Sequence, residues 1–166
     1  GYSESEDRNI GIYLGYSGDL AFKEYLFLLN KGISTVESSM VTGNASSIAA
    51  GRVAHELNLT GPAMVIDTAC SSSLVAVHKA CEGIRNGDCR AAIAAGVNLE
   101  ILPFSKKYHV GFESGTGQIR PFHKDADGAI SGEGVASIVL KNLSNAIDEG
   151  DHIYSIIEGS AINHDG

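Results

Sequence analysis

The feature that most constrains the fold of this chain is a short apolar strand that runs directly into a long helix. Met64 to Ile66 has the composition of a buried strand, and Cys70 to Arg85 (CSSSLVAVHKACEGIR) has helical periodicity, ending at Asn86-Gly87. A second apolar strand, Ala91 to Val97, follows. Strand, helix and strand in succession predict a parallel or mixed sheet covered by helices on both faces, which is an α/β fold.

The helix that begins at Cys70 carries small or apolar side chains on nearly every side. Ser71, Ser72, Ala76 and Ala80 are among them. A helix that lacks a broad polar face is typical of a protein interior rather than of a surface. We therefore expect a buried central helix at this place in the fold.

The remaining apolar segments extend the α/β pattern on both sides of this helix. Their periodicities predict strands at Asn9 to Gly15, Val135 to Leu140 and Ile153 to Ile162, and helices at Leu20 to Leu29, Ser46 to Leu57 and Ser144 to Glu149. Ser46 or Asn44 is expected to cap the second of these helices, and Ser144 the third. Between Asn98 and Gly134 the pattern gives way to a long Gly-rich stretch, which is typical of a functional loop or lid.

Composition and charge exclude several classes of protein. The chain has 166 residues, 43% of them hydrophobic, with 12 Lys and Arg against 20 Asp and Glu. This is one domain's worth of globular sequence, and an acidic balance without a basic cluster argues against a nucleic-acid partner. The longest apolar runs, such as Ala91 to Val97, are too short to cross a membrane. The polar, acidic start is unlike a secretory signal, so we expect a cytoplasmic protein.

The three cysteines, Cys70, Cys81 and Cys89, are odd in number and lack C-x-x-C spacing, which favours reduced thiols. Cys70 follows a strand and opens a helix, where unpaired backbone N–H groups and the helix dipole favour a thiolate. The same N–H groups can stabilise an oxyanion on a thioester carbonyl, so Cys70 is the candidate nucleophile. Its spacing is equally compatible with a buried, inert cysteine, and that interpretation is preferred for Cys81 and Cys89.

A covalent mechanism also needs a base, and no histidine stands at a diagnostic spacing. His78 lies about 12 Å along the predicted helix from Cys70, which is too far for a hydrogen bond. His164 beside Asp165 is the best candidate for a His–acid pair, although Asn-His-Asp-Gly is also typical of a turn. The other histidines are His55, His109, His123 and His152.

Gly61 to Leu74 (GPAMVIDTACSSSL) resembles the nucleophile motif of β-ketoacyl synthase domains from modular, type I polyketide synthases. The resemblance covers almost the whole chain in the family's order. The further matching segments are Thr42 to Ala45 (TGNA), Cys89 to Asn98 (CRAAIAAGVN), Ile119 to Phe122 (IRPF), Asp125 to Gly128 (DADG), Gly132 to Gly134 (GEG), Val139 to Lys141 (VLK) and Gly159 to Gly166 (GSAINHDG).

The resemblance implies a thiolase-like fold, layered α-β-α-β-α, of which residues 1–166 are a partial ketosynthase domain containing mainly the N-terminal half. It implies that Cys70 accepts an acyl chain from an acyl carrier protein, and that the chain is then condensed with a malonyl-type extender by decarboxylation. It implies no metal and no soluble cofactor, because the carrier's phosphopantetheine arm brings the substrates. It also implies a homodimer that forms through the strand Met64 to Thr68.

The sequence departs from the family in two respects. The motifs that hold the family's two catalytic histidines do not occur, so we expect residues 1–166 alone to be inactive in condensation. His164 occupies a position that the family does not use for catalysis, and Gly111 to Gln118 (GFESGTGQ) is shorter than the family's segment near the acyl entrance. The alternatives left open are a non-elongating gatekeeping ketosynthase, a fatty-acid-type condensing enzyme, and a Cys-His thioester hydrolase using His164 or His123.

Overall fold

The computed structural model describes residues 7–17, 42–99 and 111–164. Its strands are β1 (Ile10–Gly15), β2 (Ala63–Ile66), β3 (Ala91–Asn98) and β4 (Gly134–Lys141), and its α-helices are α1 (Ser46–Glu56), α2 (Ser72–Asn86) and α3 (Leu143–Asp148). A single 3-10 turn, Ala69–Ser71, joins β2 to α2. The helix predicted at Leu20 to Leu29 lies outside the described residues.

The four strands form one sheet in the order β2-β1-β3-β4. β1 lies at its centre and pairs in parallel with β2, where Ile12 is opposite Ala63, and with β3, where Ile10 is opposite Ala91. Parallel neighbours require crossover connections, which here contain α1 and α2. The predicted α/β class with a parallel sheet is therefore confirmed.

Two neighbouring residues of β1 organise the two sides of the sheet, because successive strand residues point to opposite faces. Ile12 packs with Ala50 and Ala54 of α1 in one buried cluster. Tyr13 packs on the other side in a second cluster, together with Ala76, Ala80, Cys89, Ala92 and Ala94. The sheet is thus covered by a helix on each face, as the sequence predicts.

In the described residues, helix α2 is buried along one stripe and exposed on the opposite side, whereas the sequence predicts a buried central helix. The buried stripe consists of Ser72, Ala76, Ala80, Cys81 and Gly83. Leu74, on the other side, is 75% exposed. In the described ranges the sheet packs against this stripe, and a sheet covers one face of a helix. Its C-terminal end agrees with prediction, since Gly87 adopts the left-handed conformation.

The predicted capping residues of the two other helices are wrong. Ala45 is the N-cap of α1 and makes no side-chain cap hydrogen bond. Asn142, not Ser144, caps α3, and its Oδ1 accepts a hydrogen bond from the Ser144 N–H at 3.0 Å. The helix starts one residue earlier than predicted, which places Ser144 inside the first turn and leaves Asn142 at the position that can reach an unpaired N–H.

The strand predicted at Ile153 to Ile162 is also wrong, because residues 151–164 form no regular secondary structure. Alternating apolar residues indicate a strand only if a neighbouring strand supplies backbone partners. Within the described ranges, no strand pairs with this segment. A side-chain hydrogen bond of 2.9 Å between Ser160 Oγ and His78 Nδ1 links it to α2 instead.

An ion-pair cluster joins the end of β4 to the turn that follows α2. The Lys141 side chain is only 9% exposed, and its Nζ lies 2.6 Å from an Asp151 carboxylate oxygen. Lys141 also hydrogen-bonds to Glu149, and Arg90 donates to the same carboxylate at 3.0 Å. The hydrogen bond from Lys141 is the main cause that lowers the pKa of Glu149. The cluster thereby ties together elements that are distant in sequence.

Residues Asn98–Gly134 form a compact unit of their own, where the sequence predicts a long functional loop. A parallel bridge pairs Glu113 with Ala129. Asp127 accepts hydrogen bonds from the Ser114 hydroxyl at 2.8 Å and the Thr116 N–H at 2.9 Å, and these contacts lower its pKa. Residues 113–129 are therefore held together by backbone pairing and by the hydrogen bonds of the Asp127 carboxylate. No helix of the described residues is long and apolar enough to span a bilayer.

The packing of α2 against the sheet leads to a first prediction. Ala80 is completely buried, so Ala80→Leu adds methylenes to a filled space and should destabilise the domain that contains this chain by about 1 to 3 kcal/mol. The denaturant midpoint measures this loss. The control is Arg85→Leu, an exposed site on the same helix, where the change should stay within about 0.5 kcal/mol. An unchanged midpoint for Ala80→Leu would place that face at the surface.

Candidate active site

Cys70 lies at the centre of the 3-10 turn between β2 and α2, and it is exposed. Cys81 and Cys89 are both buried. Burial raises the pKa of the Cys89 thiol, which lies beside the Tyr13 hydroxyl, and burial likewise raises the pKa of Tyr13 to about 12. Because an accessible thiol is a requirement for a nucleophile, Cys70 is the cysteine whose placement suits that role.

Two side chains hold the backbone of the turn around Cys70. Asp67 accepts a hydrogen bond from the Ala69 N–H at 3.1 Å, and its other carboxylate oxygen accepts one from the Ser17 hydroxyl at 3.1 Å. The Ser72 hydroxyl accepts from the Thr68 N–H at 2.9 Å and donates to the Ala69 carbonyl at 2.7 Å. The turn is therefore bonded on both sides of Ala69, the residue immediately before Cys70.

Ala69 has a φ of 53°, in the left-handed region. An L-residue pays about 1 to 2 kcal/mol there, because its Cβ approaches the following carbonyl oxygen. A single net hydrogen bond contributes about 0.5 to 1.5 kcal/mol, so the bonds from Asp67 and Ser72 are of the size needed to offset this strain. Strain of this kind is commonly found at functional sites.

The backbone N–H of Cys70 donates no hydrogen bond within the described ranges. The N–H groups of Thr68, Ala69, Ser71 and Ser72 all do. The start of α2 therefore presents an available donor on the same residue as the exposed thiol. A donor at this position can stabilise negative charge on the oxygen of a carbonyl that the thiol attacks.

Two glycines allow the start of α2 to lie directly on the sheet. A Cβ on Gly15 of β1 would lie 2.6 Å from the Ser73 nitrogen and 2.7 Å from the Ser72 carbonyl carbon. A Cβ on Gly96 of β3 would lie 2.7 Å from the Ser73 Cβ. These distances are too short for any side chain, so the position of the turn is fixed by contact with the backbone of β1 and β3.

Among residues 7–17, 42–99 and 111–164, no histidine hydrogen-bonds to Cys70, whose thiol makes no side-chain hydrogen bond there. His78 instead bonds to Ser160 and lies 3.4 Å from a Glu82 carboxylate oxygen. His123 Nδ1 accepts from the Asp125 N–H at 3.2 Å.

Of the other histidines that the structure describes, none hydrogen-bonds to this thiol. The ring of His152 stacks edge-on against Tyr154, and His164 is exposed, with its proposed partner Asp165 outside the described residues. His109 also lies outside them. In the described part of the chain, no three His, Cys, Asp or Glu side chains are grouped as metal ligands would be.

The residues that support the turn were not predicted from the sequence, although one signal was present. In an Asx-turn, an Asp side chain accepts a hydrogen bond from the backbone N–H two residues later. Asp67 and Ala69 have this spacing and make this bond. No sequence pattern indicates the role of Ser72, because serine is common in the first turn of a helix. That its hydroxyl donates to the Ala69 carbonyl is known only from the fold.

Comparison with known proteins gives a consistent result. The family model described as "Beta-ketoacyl synthase, N-terminal domain" matches residues 1–146. A phenolphthiocerol/phthiocerol polyketide synthase from Mycobacterium tuberculosis is 44% identical over 158 residues, which are 94% of this chain and 8% of that protein. Polyketide synthase PksL of Bacillus subtilis is 42% identical over 161 residues, 95% of this chain and 3% of that protein.

A solved structure is also similar, the ketosynthase from module 6 of the bacillaene synthase from Bacillus subtilis 168. It aligns with a TM-score of 0.80 and 40% identity, and covers 96% of this chain and 26% of that ketosynthase. The similarity confirms the thiolase-like α/β fold predicted from the sequence. The chain spans about a quarter of the solved ketosynthase and less than a tenth of the two curated relatives.

The contact between Gly15 and the start of α2 leads to a second prediction. Gly15→Ala places a methyl group where the backbone of Ser72 and Ser73 now lies, so the turn must move and Cys70 should react more slowly with iodoacetamide. The matched control is Gly51→Ala in α1, where a Cβ meets nothing within 4 Å. That change should leave the reaction rate as it is and stabilise the helix by about 0.5 to 1 kcal/mol. Equal rates for both variants would contradict the close contact.

Proposed function

Because the chain belongs to the β-ketoacyl synthase family, we propose that Cys70 is the nucleophile of a polyketide-synthase ketosynthase. The observation that carries the proposal is the exposed thiol of Cys70 at the start of α2, beside its own available N–H. In this role the chain supplies the acyl-accepting part of a transferase. Residues 1–166 are then part of a larger ketosynthase domain, consistent with the match to an N-terminal domain model and with the quarter of a solved ketosynthase that the chain covers.

The first step is transfer of an acyl chain from an acyl carrier protein. The Cys70 sulfur attacks the carbonyl of the acyl thioester, a new C–S bond forms, and the bond to the phosphopantetheine sulfur breaks. The proton of the Cys70 thiol ends on the departing phosphopantetheine thiol. During the step the carbonyl oxygen carries negative charge, and the Cys70 N–H is the donor that stabilises it.

The second step is decarboxylative condensation. A malonyl-type extender on the carrier loses carbon dioxide, and the resulting enolate carbon attacks the thioester carbonyl on Cys70. The new C–C bond forms as the C–S bond breaks, and Cys70 takes up a proton again. We propose that two histidines of the complete domain assist this step. The substrates arrive on the phosphopantetheine arm, so the two steps need neither a metal nor a soluble cofactor.

We also propose a homodimer that forms through the strand Met64 to Thr68. β2 is at the edge of the described sheet, and Met64 is exposed. Pro62 and Ile66 direct their carbonyl groups to β1, so the alternate residue Val65 directs its N–H and carbonyl to the open edge. An edge with unpaired backbone groups is a site for pairing with a second strand.

The dimer is tested with Val65→Pro, which removes the outward N–H and leaves the ladder with β1 intact. We expect the parent domain to sediment as a dimer and the variant to dissociate at higher concentrations. Thermal unfolding confirms that the variant is folded. A monomeric parent, or an unchanged dimer in the variant, would exclude this interface. We also propose a cytoplasmic location, because Cys70, Cys81 and Cys89 form no disulfide.

The nucleophile is tested in the complete domain by offering an acyl thioester of the carrier protein. Cys70→Ala should abolish covalent acyl loading, whereas Cys81→Ala should keep it, and mass spectrometry of the digested protein locates the acyl group. An acyl group on Cys81 or Cys89 would refute the assignment. With malonyl carrier protein added, a β-ketoacyl product identifies elongation, loading without product identifies a gatekeeping domain, and release of free acid identifies a hydrolase.

A further inference from the structure

We propose that Ser72 is a positioning residue that holds Ala69 in its left-handed conformation and thereby presents Cys70 for reaction. The inference rests on the proposed role of Cys70 as the nucleophile. It adds a function for the second serine of the Cys-Ser-Ser-Ser segment that the match to the family does not supply.

The contacts of Ser72 surround the strained residue. Its side chain is nearly buried, with 6% of the residue exposed. The hydroxyl accepts from the Thr68 N–H at 2.9 Å and donates to the Ala69 carbonyl at 2.7 Å, so one atom bonds to the peptide group that precedes Thr68 and to the peptide group that follows Ala69. The Ser72 N–H donates to the same carbonyl. The peptide group between Thr68 and Ala69 is held by Asp67, which accepts from the Ala69 N–H.

These bonds matter because Ala69 would not keep a φ of 53° by itself. If the peptide group after Ala69 rotates toward an ordinary conformation, Cys70 moves with it, since this peptide group carries the Cys70 nitrogen. Both the thiol and its unpaired N–H would then change direction. The hydroxyl of Ser72 is bonded to the carbonyl of that same peptide group, and therefore resists the rotation.

Ser72 can act as a fixed support because it rests on the sheet. The Ser72 carbonyl carbon and the Ser73 nitrogen lie against Gly15 with no space for a side chain between them, and the Ser73 Cβ lies equally close to Gly96. The two strands thus fix the position of Ser72, and Ser72 in turn holds Ala69 and the Cys70 that follows it.

Ser71 provides a matched control in the same turn. Its hydroxyl donates to the Thr68 carbonyl at 2.8 Å and lies 2.9 Å from the Thr68 hydroxyl, and it is exposed. It makes no hydrogen bond to Ala69 within the described ranges. Ser71→Ala therefore removes a hydroxyl of the same size without freeing the strained residue.

The experiment measures alkylation of Cys70 by iodoacetamide in the complete, folded protein, with the modified peptides quantified by mass spectrometry. Buried Cys81 is the internal reporter, because it is alkylated only if the fold opens. This readout requires no acyl transfer, so it tests the role of Ser72 separately from the role of Cys70 in condensation. The variants are Ser72→Ala, Ser72→Thr, Ser71→Ala, Ala69→Gly and the double variant Ala69→Gly/Ser72→Ala.

Ser72→Ala should slow Cys70 alkylation by about fivefold, the ratio that corresponds to one net hydrogen bond. Ser72→Thr keeps the hydroxyl, and Ser71→Ala does not touch Ala69, so both should stay within about twofold of the parent. Ala69→Gly removes the steric cost, and in that background Ser72→Ala should also stay within about twofold.

Two results would overturn the proposal. One is a parental rate for Ser72→Ala. The other is a double variant that reacts as slowly as Ser72→Ala, because the loss would then be independent of Ala69. If Ser72→Ala opens the fold, Cys81 is alkylated as well. The double variant is then compared with Ala69→Gly alone. A Cys70 alkylation rate about fivefold lower in the double variant contradicts a role of Ser72 that acts through Ala69.

Discussion

The direct contact between the first residues of α2 and the backbone of β1 and β3 is the constraint on which the candidate site depends. Gly15 and Gly96 supply no side chains, so Ser72 and Ser73 rest on the strands themselves. A helix that is separated from a sheet by side chains can shift when those side chains change rotamer. Here that freedom is absent, and the geometry of the turn that carries Cys70 is determined by backbone positions.

The same strand that receives the turn also organises the two layers around it. Ile12 and Tyr13 are adjacent in β1, and they anchor separate clusters beneath α1 and α2. Because the buried residues of α2 all have small side chains or none, the helix approaches the sheet closely along its buried stripe. The cluster beneath α2 therefore consists of small buried side chains around Tyr13, and the buried stripe extends to Ser72, next to the turn that carries Cys70.

The sequence predicts these central elements well, because their signals are local. An apolar run identifies β3, and periodicity with a glycine at its end identifies α2. The strand predicted at Ile153 to Ile162 fails because pairing depends on a distant partner, which no local pattern reveals. Ser144 fails as a cap because a difference of one residue in the helix start changes which side chain reaches the N–H. The supports of Cys70, Asp67 and Ser72, are apparent only once the turn is folded.

The left-handed alanine before Cys70 also affects the unfolded chain. Glycine would adopt the same φ without strain, but it would also visit many more conformations before folding and in any local opening of the turn. Alanine is strained in the folded turn, but it loses less conformational entropy than glycine when the turn becomes ordered. A turn with fewer accessible states returns to the same arrangement after each disturbance. The thiol of Cys70 is thus given a reproducible direction by a residue with no polar side chain of its own.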